Sequence, residues 1–147
     1  DRRQRQMCIR DSAYGLILLM KKGYPCIFYG DYYGVKGKKS PHRKVLDMLL
    51  RARKEYAYGE EVDYFDHPNT IGFVRLGDSG HADSGLAVVI SNGEDGEKTM
   101  SVGENRKGEV WHEITGSVKD TVAIDEEGKG RFLVKGGKLA VWVKVKA

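Results

Sequence analysis

The sequence predicts an α/β segment followed by an all-β antiparallel sandwich, and three observations carry that assignment. Hydrophobic residues repeat with the helical period up to Gly59 and with period two beyond it. A short apolar run bounded by glycines, Pro25 to Tyr29, stands between two helical patterns, as a strand buried on both faces of a parallel sheet does. Charge is also divided: residues 1–54 carry 14 Lys/Arg against 4 Asp/Glu, and residues 55–147 carry 11 against 17. Opposite charge and different period mark two units, residues 13–59 and 60–147, preceded by an atypical arm.

That arm, residues 1–12, is nearly all charge and amide and has no amphipathic face. It reads as a disordered basic arm or as residues foreign to the natural protein, and no function is placed on it. Ala13 to Lys22 reads as a helix, with Leu16, Leu19 and Met20 on one face, Ser12 as N-cap and Gly23 at its end. The Pro25–Tyr29 strand follows, then a loop, Gly30-Asp31-Tyr32-Tyr33-Gly34, where α/β folds place ligand-contacting groups. Ser40-Pro41 opens a second helix, serine at the N-cap and proline at N1. Its stripe is Val45, Leu46, Leu49, Leu50 and Ala52, and Gly59 ends it. Strands are then expected at 70–76, 86–91, 97–102, 110–114, 121–124, 130–134 and 139–145, separated by glycine-rich turns. Phe73, Leu86, Val88, Ile90 and Val141 are assigned to the inner faces of the sandwich.

The totals narrow the classes. A 40% hydrophobic and 31% charged composition belongs to a globular domain with a real core. No apolar run approaches the roughly 18 residues of a membrane span. Cys8 and Cys26 allow at most one disulfide; Cys26 lies in the expected buried strand, and both read as reduced thiols, favouring the cytoplasm. The positive residues of the basic half are scattered between elements, the pattern of a solvated surface rather than of a nucleic-acid stripe.

No catalytic constellation emerges. Asp66 and His67 precede Pro68 in a turn, and His42, His81 and His112 are dispersed without metal-ligand spacing. Asp78 and Asp83 flank Gly80 without the spacing of a calcium loop. Asp31 is an acid without a visible mate, whereas glycosidase chemistry needs two. Tyr32 and Tyr33 read as packing residues, with stacking on sugar rings as the alternative; Trp111 and Trp142 read as core. Catalytic and metal-binding residues are therefore assigned to none of these positions.

A series of motifs carries a family resemblance. Gly23-Tyr24-Pro25-Cys26-Ile27-Phe28-Tyr29-Gly30-Asp31 resembles the last barrel strand of the α-amylase family of glycoside hydrolases. Ala52-Arg53-Lys54-Glu55-Tyr56-Ala57-Tyr58-Gly59, Asp63-Tyr64-Phe65-Asp66-His67 and Ser84-Gly85-Leu86-Ala87 continue it. So do Val110-Trp111-His112-Glu113-Ile114-Thr115-Gly116 and Gly136-Gly137-Lys138-Leu139-Ala140-Val141-Trp142-Val143. In this order they resemble the end of the bacterial liquefying and cytoplasmic α-amylases. Phe65-Asp66-His67-Pro68-Asn69 and the stretch after Ser91 are similar to the cytoplasmic branch.

The resemblance implies the last strand and flanking helices of a (β/α)8 barrel followed by a Greek-key β domain, in an endo-acting enzyme that cleaves α-1,4-glucan with retention. It also implies that the catalytic acids lie on earlier barrel strands, so this stretch alone is expected to be inactive and to partner the rest of the barrel and, through it, α-glucan. Calcium is implied for the parent and not for this stretch: the positions matching two calcium-holding aspartates of secreted relatives are Asn69 and Asn92, and neutral amides bind calcium less strongly than carboxylates. Nucleic acid and membrane are not expected as partners. Two other readings stay open, a free-standing glucan-binding sandwich at 60–147 and a nucleic-acid-binding basic half.

Overall fold

The computed structural model describes the backbone of residues 2–146 and the side chains of residues 9–146. The elements in order are α1 (Arg2–Leu19), α2 (Tyr29–Tyr33), α3 (Arg43–Glu55), β1 (Glu61–Tyr64), β2 (Thr70–Arg75) and β3 (Leu86–Ser91). They continue with β4 (Gly96–Ser101), a 3-10 turn at Glu104–Arg106, β5 (Val110–Glu113), β6 (Thr121–Ala123), β7 (Lys129–Val134) and β8 (Leu139–Lys144). Six strands form one antiparallel sheet in the order β1-β2-β3-β8-β5-β6, and β4 pairs with β7 in a second. The expected strands are all present to within a residue or two, and β1 is an addition: its burial does not alternate cleanly, so period two is faint in its sequence.

The larger sheet is a middle layer. Along β2, β3 and β8, Phe73 pairs with Val88 and Val88 with Val141, while the next row across is Val74, Ala87 and Trp142. Because side chains alternate faces, the first row packs against Leu18 and Leu19 of α1 and Leu46, Leu49 and Ala52 of α3. The second packs with Met100 of β4 and Phe132 and Val134 of β7. Phe73, Leu86, Val88, Ile90 and Val141 are thus buried as expected, but under the helices and not between the sheets. Period two identifies two rows; it does not say what covers each.

The helical half departs from expectation in three places. Helix α1 runs without a break from Arg2, so residues 2–12 are helical, and Ser12 is inside the helix instead of capping it. Arginine and glutamine are good helix formers, and an amphipathic face is needed only where the helix meets the sheet. The reading of Cys8 as a reduced thiol lies outside the described side chains. Residues 24–28 are not a buried strand: no strand pairs with them among the described residues, Tyr24 is 97% exposed, and Cys26 is exposed too. An apolar run without neighbouring strands has no ladder to join. Helix α3 starts at Arg43 and ends at Glu55, because Pro41 and His42 form a turn in which Ser40 Oγ accepts the His42 N–H (3.1 Å).

Two arginines lock α1 onto the rest. Arg53 of α3 donates to the Leu18 carbonyl (2.8 Å), and Arg75 of β2, itself 7% exposed, donates to the Leu19 carbonyl (3.0 Å). These are carbonyls that a helix end leaves without intrahelical partners, and cations there also complement the helix dipole. Gly59, with φ of +84°, then turns the chain into the sheet where the Gly77 backbone leaves no room for a Cβ.

Candidate functional site

The region that the sequence singled out, around Asp31, is built at the junction of the three helices. Asp31 in α2 is buried. Its carboxylate accepts from Arg10 (2.9 Å) and from the Tyr14 hydroxyl (2.5 Å), and the Tyr14 oxygen accepts the Phe28 N–H (3.1 Å). Burial pushes the Tyr14 hydroxyl above its usual range, and its bond to Asp31 adds to the rise. Ser40 Oγ donates to the Asp31 carbonyl. One turn of α1 earlier, Asp11 pairs with the buried His42 (2.7 Å). Burial raises the Asp11 carboxyl above its usual range, and the His42 partner offsets part of that rise.

A second carboxyl therefore does stand near Asp31, contributed by a residue set aside in the sequence. Neither is open to a substrate. Asp31 is held by a cation and a phenol and Asp11 by an imidazole, so the pair has the arrangement of a structural tie rather than of an acid and a nucleophile flanking a bond.

The surface beside this tie is aromatic. Tyr24, Phe28, Tyr29, Tyr33 and Val35 are all exposed, an apolar display of the kind that marks an interface. Tyr29 and Tyr33 lie 4.6 Å apart between ring centroids and tilted by 37°. Tyr32 is half-buried, bonded to Asp47 (2.6 Å) and covered by the Arg43 guanidinium 3.8 Å from its ring centre. Of the two tyrosines weighed in the sequence, Tyr32 packs and Tyr33 is open.

The remaining candidates are dispersed. Asp78 pairs with His81 (2.7 Å), whose ring stacks on Tyr58, and Asp83 pairs with Lys144 (3.0 Å). His67 accepts from the backbone N–H groups of Asn69 and Thr70, and His112 is exposed on β5. Trp111 and Trp142 are fully buried, leaving no tryptophan platform for sugar. Asn69 and Asn92 are brought together, since the Asn92 N–H donates to the Asn69 carbonyl (3.1 Å). The carboxylate next in sequence, Asp66, is engaged by Lys98 (2.7 Å), which holds it below the usual carboxylate range. Among the described residues no group of three or more His, Cys, Asp or Glu could hold a metal ion.

Sequence reading missed Glu113, a buried carboxylate that organises the far end of the sheet. It accepts from the N–H groups of Val141 (2.8 Å), Thr115 (2.9 Å) and Ser117 (3.0 Å) and from the Thr115 hydroxyl (2.7 Å). The Glu-x-Thr-x-Ser spacing was visible, but the Val141 partner, 28 residues away, was not.

The fold is shared with solved enzymes. An α-amylase from Malbranchea cinnamomea superposes with a TM-score of 0.69 at 13% identity, over 93% of this chain and 33% of that one. An Anoxybacillus α-amylase does so with a TM-score of 0.66 at 14% identity, over 97% and 33%. The fold is that of part of an α-amylase.

Sequence takes the relationship further. The chain is 48% identical over 132 residues to the glucan 1,4-alpha-maltohexaosidase of Bacillus sp. strain 707, covering 89% of this chain and 26% of the relative. It is 46% identical over 143 residues to the α-amylase of Bacillus licheniformis, covering 95% and 28%. Identity to the cytoplasmic α-amylase of Escherichia coli K12 is 39% over 142 residues, covering 89% and 28%. No family model matches the chain. The chain is a homologue of the bacterial α-amylases, a family of glycoside hydrolases, and spans about a quarter of the length of the curated relatives it matches.

Proposed function

We propose that this chain works as the C-terminal part of an endo-acting, retaining α-amylase that hydrolyses α-1,4-glucosidic bonds in starch- or glycogen-type glucans. The observation that carries the reading is 46% identity across 95% of the chain to an α-amylase of which it spans 28%. On this reading residues 24–28 form the last strand of a (β/α)8 barrel, α1 and α3 flank it, and residues 60–147 are the β domain that follows. The backbone at 24–28, without a strand partner among the described residues, and the exposed Tyr24, Phe28 and Tyr29 suit a strand whose neighbours belong to the rest of the barrel.

Retaining chemistry uses two carboxyl groups about 5–5.5 Å apart, and the closed Asp31 and Asp11 cannot serve as that pair. The acids, and calcium where the enzyme uses it, belong to the remainder of the protein. The chain's own task is to complete the barrel and to brace it through the helix–sheet core. Similarity to the cytoplasmic enzyme supports a cytoplasmic location; no helix of the described residues is long and apolar enough to cross a membrane.

Complementation tests the proposal. The Bacillus licheniformis α-amylase lacking the region matched here is co-expressed with this chain, and reducing ends released from soluble starch are measured. Restored hydrolysis that requires both polypeptides is expected. Failure to associate or to restore turnover, while the matching segment of the Bacillus enzyme itself does both, would refute it.

A further inference from the structure

The connection between β3 and β4 contains two dipeptides capable of succinimide chemistry, Asn92-Gly93 and Asp95-Gly96, and the fold treats them differently. Asn92 and Gly93 are both exposed. A side chain built on Gly93 would meet nothing within 4 Å, so its nitrogen is approachable. The Gly93 N–H is outside the sheet ladder: it donates to Ser91 Oγ at 3.2 Å, and that hydroxyl donates onward to the Glu94 carbonyl at 2.6 Å. The Asn92 N–H is fixed to the Asn69 carbonyl across to the end of β2, whereas the next N–H, that of Gly93, has only this local side-chain acceptor.

Asp95 is in the opposite situation. Its carboxylate accepts the Gly136 N–H at 2.7 Å and faces Lys135 at 3.7 Å. Gly96 is already in β4, opposite Val134, with Thr70 pressed against it.

We propose that Asn92 is a site of spontaneous deamidation in the folded protein, and that Asp95 is protected. The Gly93 amide nitrogen, on losing its proton, attacks Asn92 Cγ; the new C–N bond forms as the Cγ–Nδ2 bond breaks and ammonia leaves. Solvent water then opens the five-membered imide at either carbonyl, giving aspartate or isoaspartate at position 92. No oxidant or reductant is involved. Glycine matters because no Cβ obstructs the approach. The product carries a new negative charge at the end of β3. The isoaspartate form also lengthens the backbone by one methylene between Ser91 and Gly93, which displaces the Ser91 hydroxyl bonds.

The test ages the whole chain in mildly alkaline buffer, followed by peptide mapping and enzymatic methylation of isoaspartate. The expected result is a gain of about 1 Da confined to the peptide holding Asn92, with isoaspartate there and none at Asp95. Gly93→Ala, which the open space accommodates, slows the conversion on the order of tenfold. Asn92→Gln, whose imide ring would be one atom larger, also suppresses it and serves if the alanine variant misfolds. Asn92 unchanged in the folded chain while the urea-unfolded chain converts would overturn the proposal. So would isoaspartate at Asp95 at an equal rate, or undiminished conversion in both variants.

Discussion

Phe132→Ala should be the most damaging single truncation in the β layers. Phe132 is fully buried, its ring 5.8 Å from that of Trp111 and 5.9 Å from that of Trp142, both tilted by about the same angle. With Met100 and Val134 it joins the two-stranded β4–β7 sheet to the six-stranded one. Replacing a buried phenylalanine by alanine costs about 3–5 kcal/mol, because the transfer energy is lost and a cavity remains. The tilted aromatic contacts add roughly 0.5–1.5 kcal/mol each to what is at stake. Phe132 stands between two rings that are themselves fully buried, which places the truncation in the upper half of that range. A domain of this size loses roughly 2–4 °C of Tm per kcal/mol, which gives a fall of roughly 10–20 °C. Urea denaturation followed by tryptophan fluorescence measures it directly, since both reporters line the cavity. Phe132→Leu should recover much of the loss. A cost below about 1 kcal/mol for the alanine variant would show that the two sheets are not packed through this ring.

Other consequences follow from single residues. Glu113→Ala leaves the buried Val141 N–H without its acceptor, so a loss of about 1–3 kcal/mol and faster hydrogen exchange at Val141 and Thr115 are expected; unchanged exchange would contradict the role given to Glu113. Lys144 holds Asp83 below its usual value of 3.8, chiefly through their hydrogen bond. Since the folded value is the lower one, this pair stabilises above the unfolded carboxylate range, and the contribution is lost as pH falls through the depressed value. Lys144→Met should return the Asp83 carboxyl to its ordinary titration in a carbon-detected NMR experiment and remove that acid-side loss. Arg75→Leu withdraws the donor from the Leu19 carbonyl and the Gly59 carbonyl, so α1 should fray from its C-terminal end, seen as proteolysis near Lys21 before global unfolding.

What the sequence disclosed and what it hid have physical reasons. Strand β3 was legible as a continuous apolar run, Leu86 to Ile90, and β8 through the spacing of Leu139, Val141 and Val143, and both are local properties. The covering of each row was not legible, because it depends on α1 and α3 folding back over a sheet made of later residues. Pro25–Tyr29 misled because an apolar, glycine-bounded run has the composition of a strand, while being a strand requires partners; Tyr24 and Phe28 stand in the open without them. Asp31 stood out in the sequence as the acid of the loop after the apolar run, without a visible mate. Its closure by Arg10 and Tyr14, 21 and 17 residues away, is a tertiary fact that no spacing announces. Asn69 and Asn92 were linked only through the family resemblance, and the β2–β3 pairing then brings them together.

The most direct test of the central claim is the hydrolysis of soluble starch by this polypeptide alone, with calcium supplied and host amylase removed. The account predicts no reducing ends above the blank at any protein concentration, for the chain and for Asp31→Asn alike, because its two neighbouring carboxylates are closed structural ties. Turnover by the chain that is abolished in Asp31→Asn would contradict it.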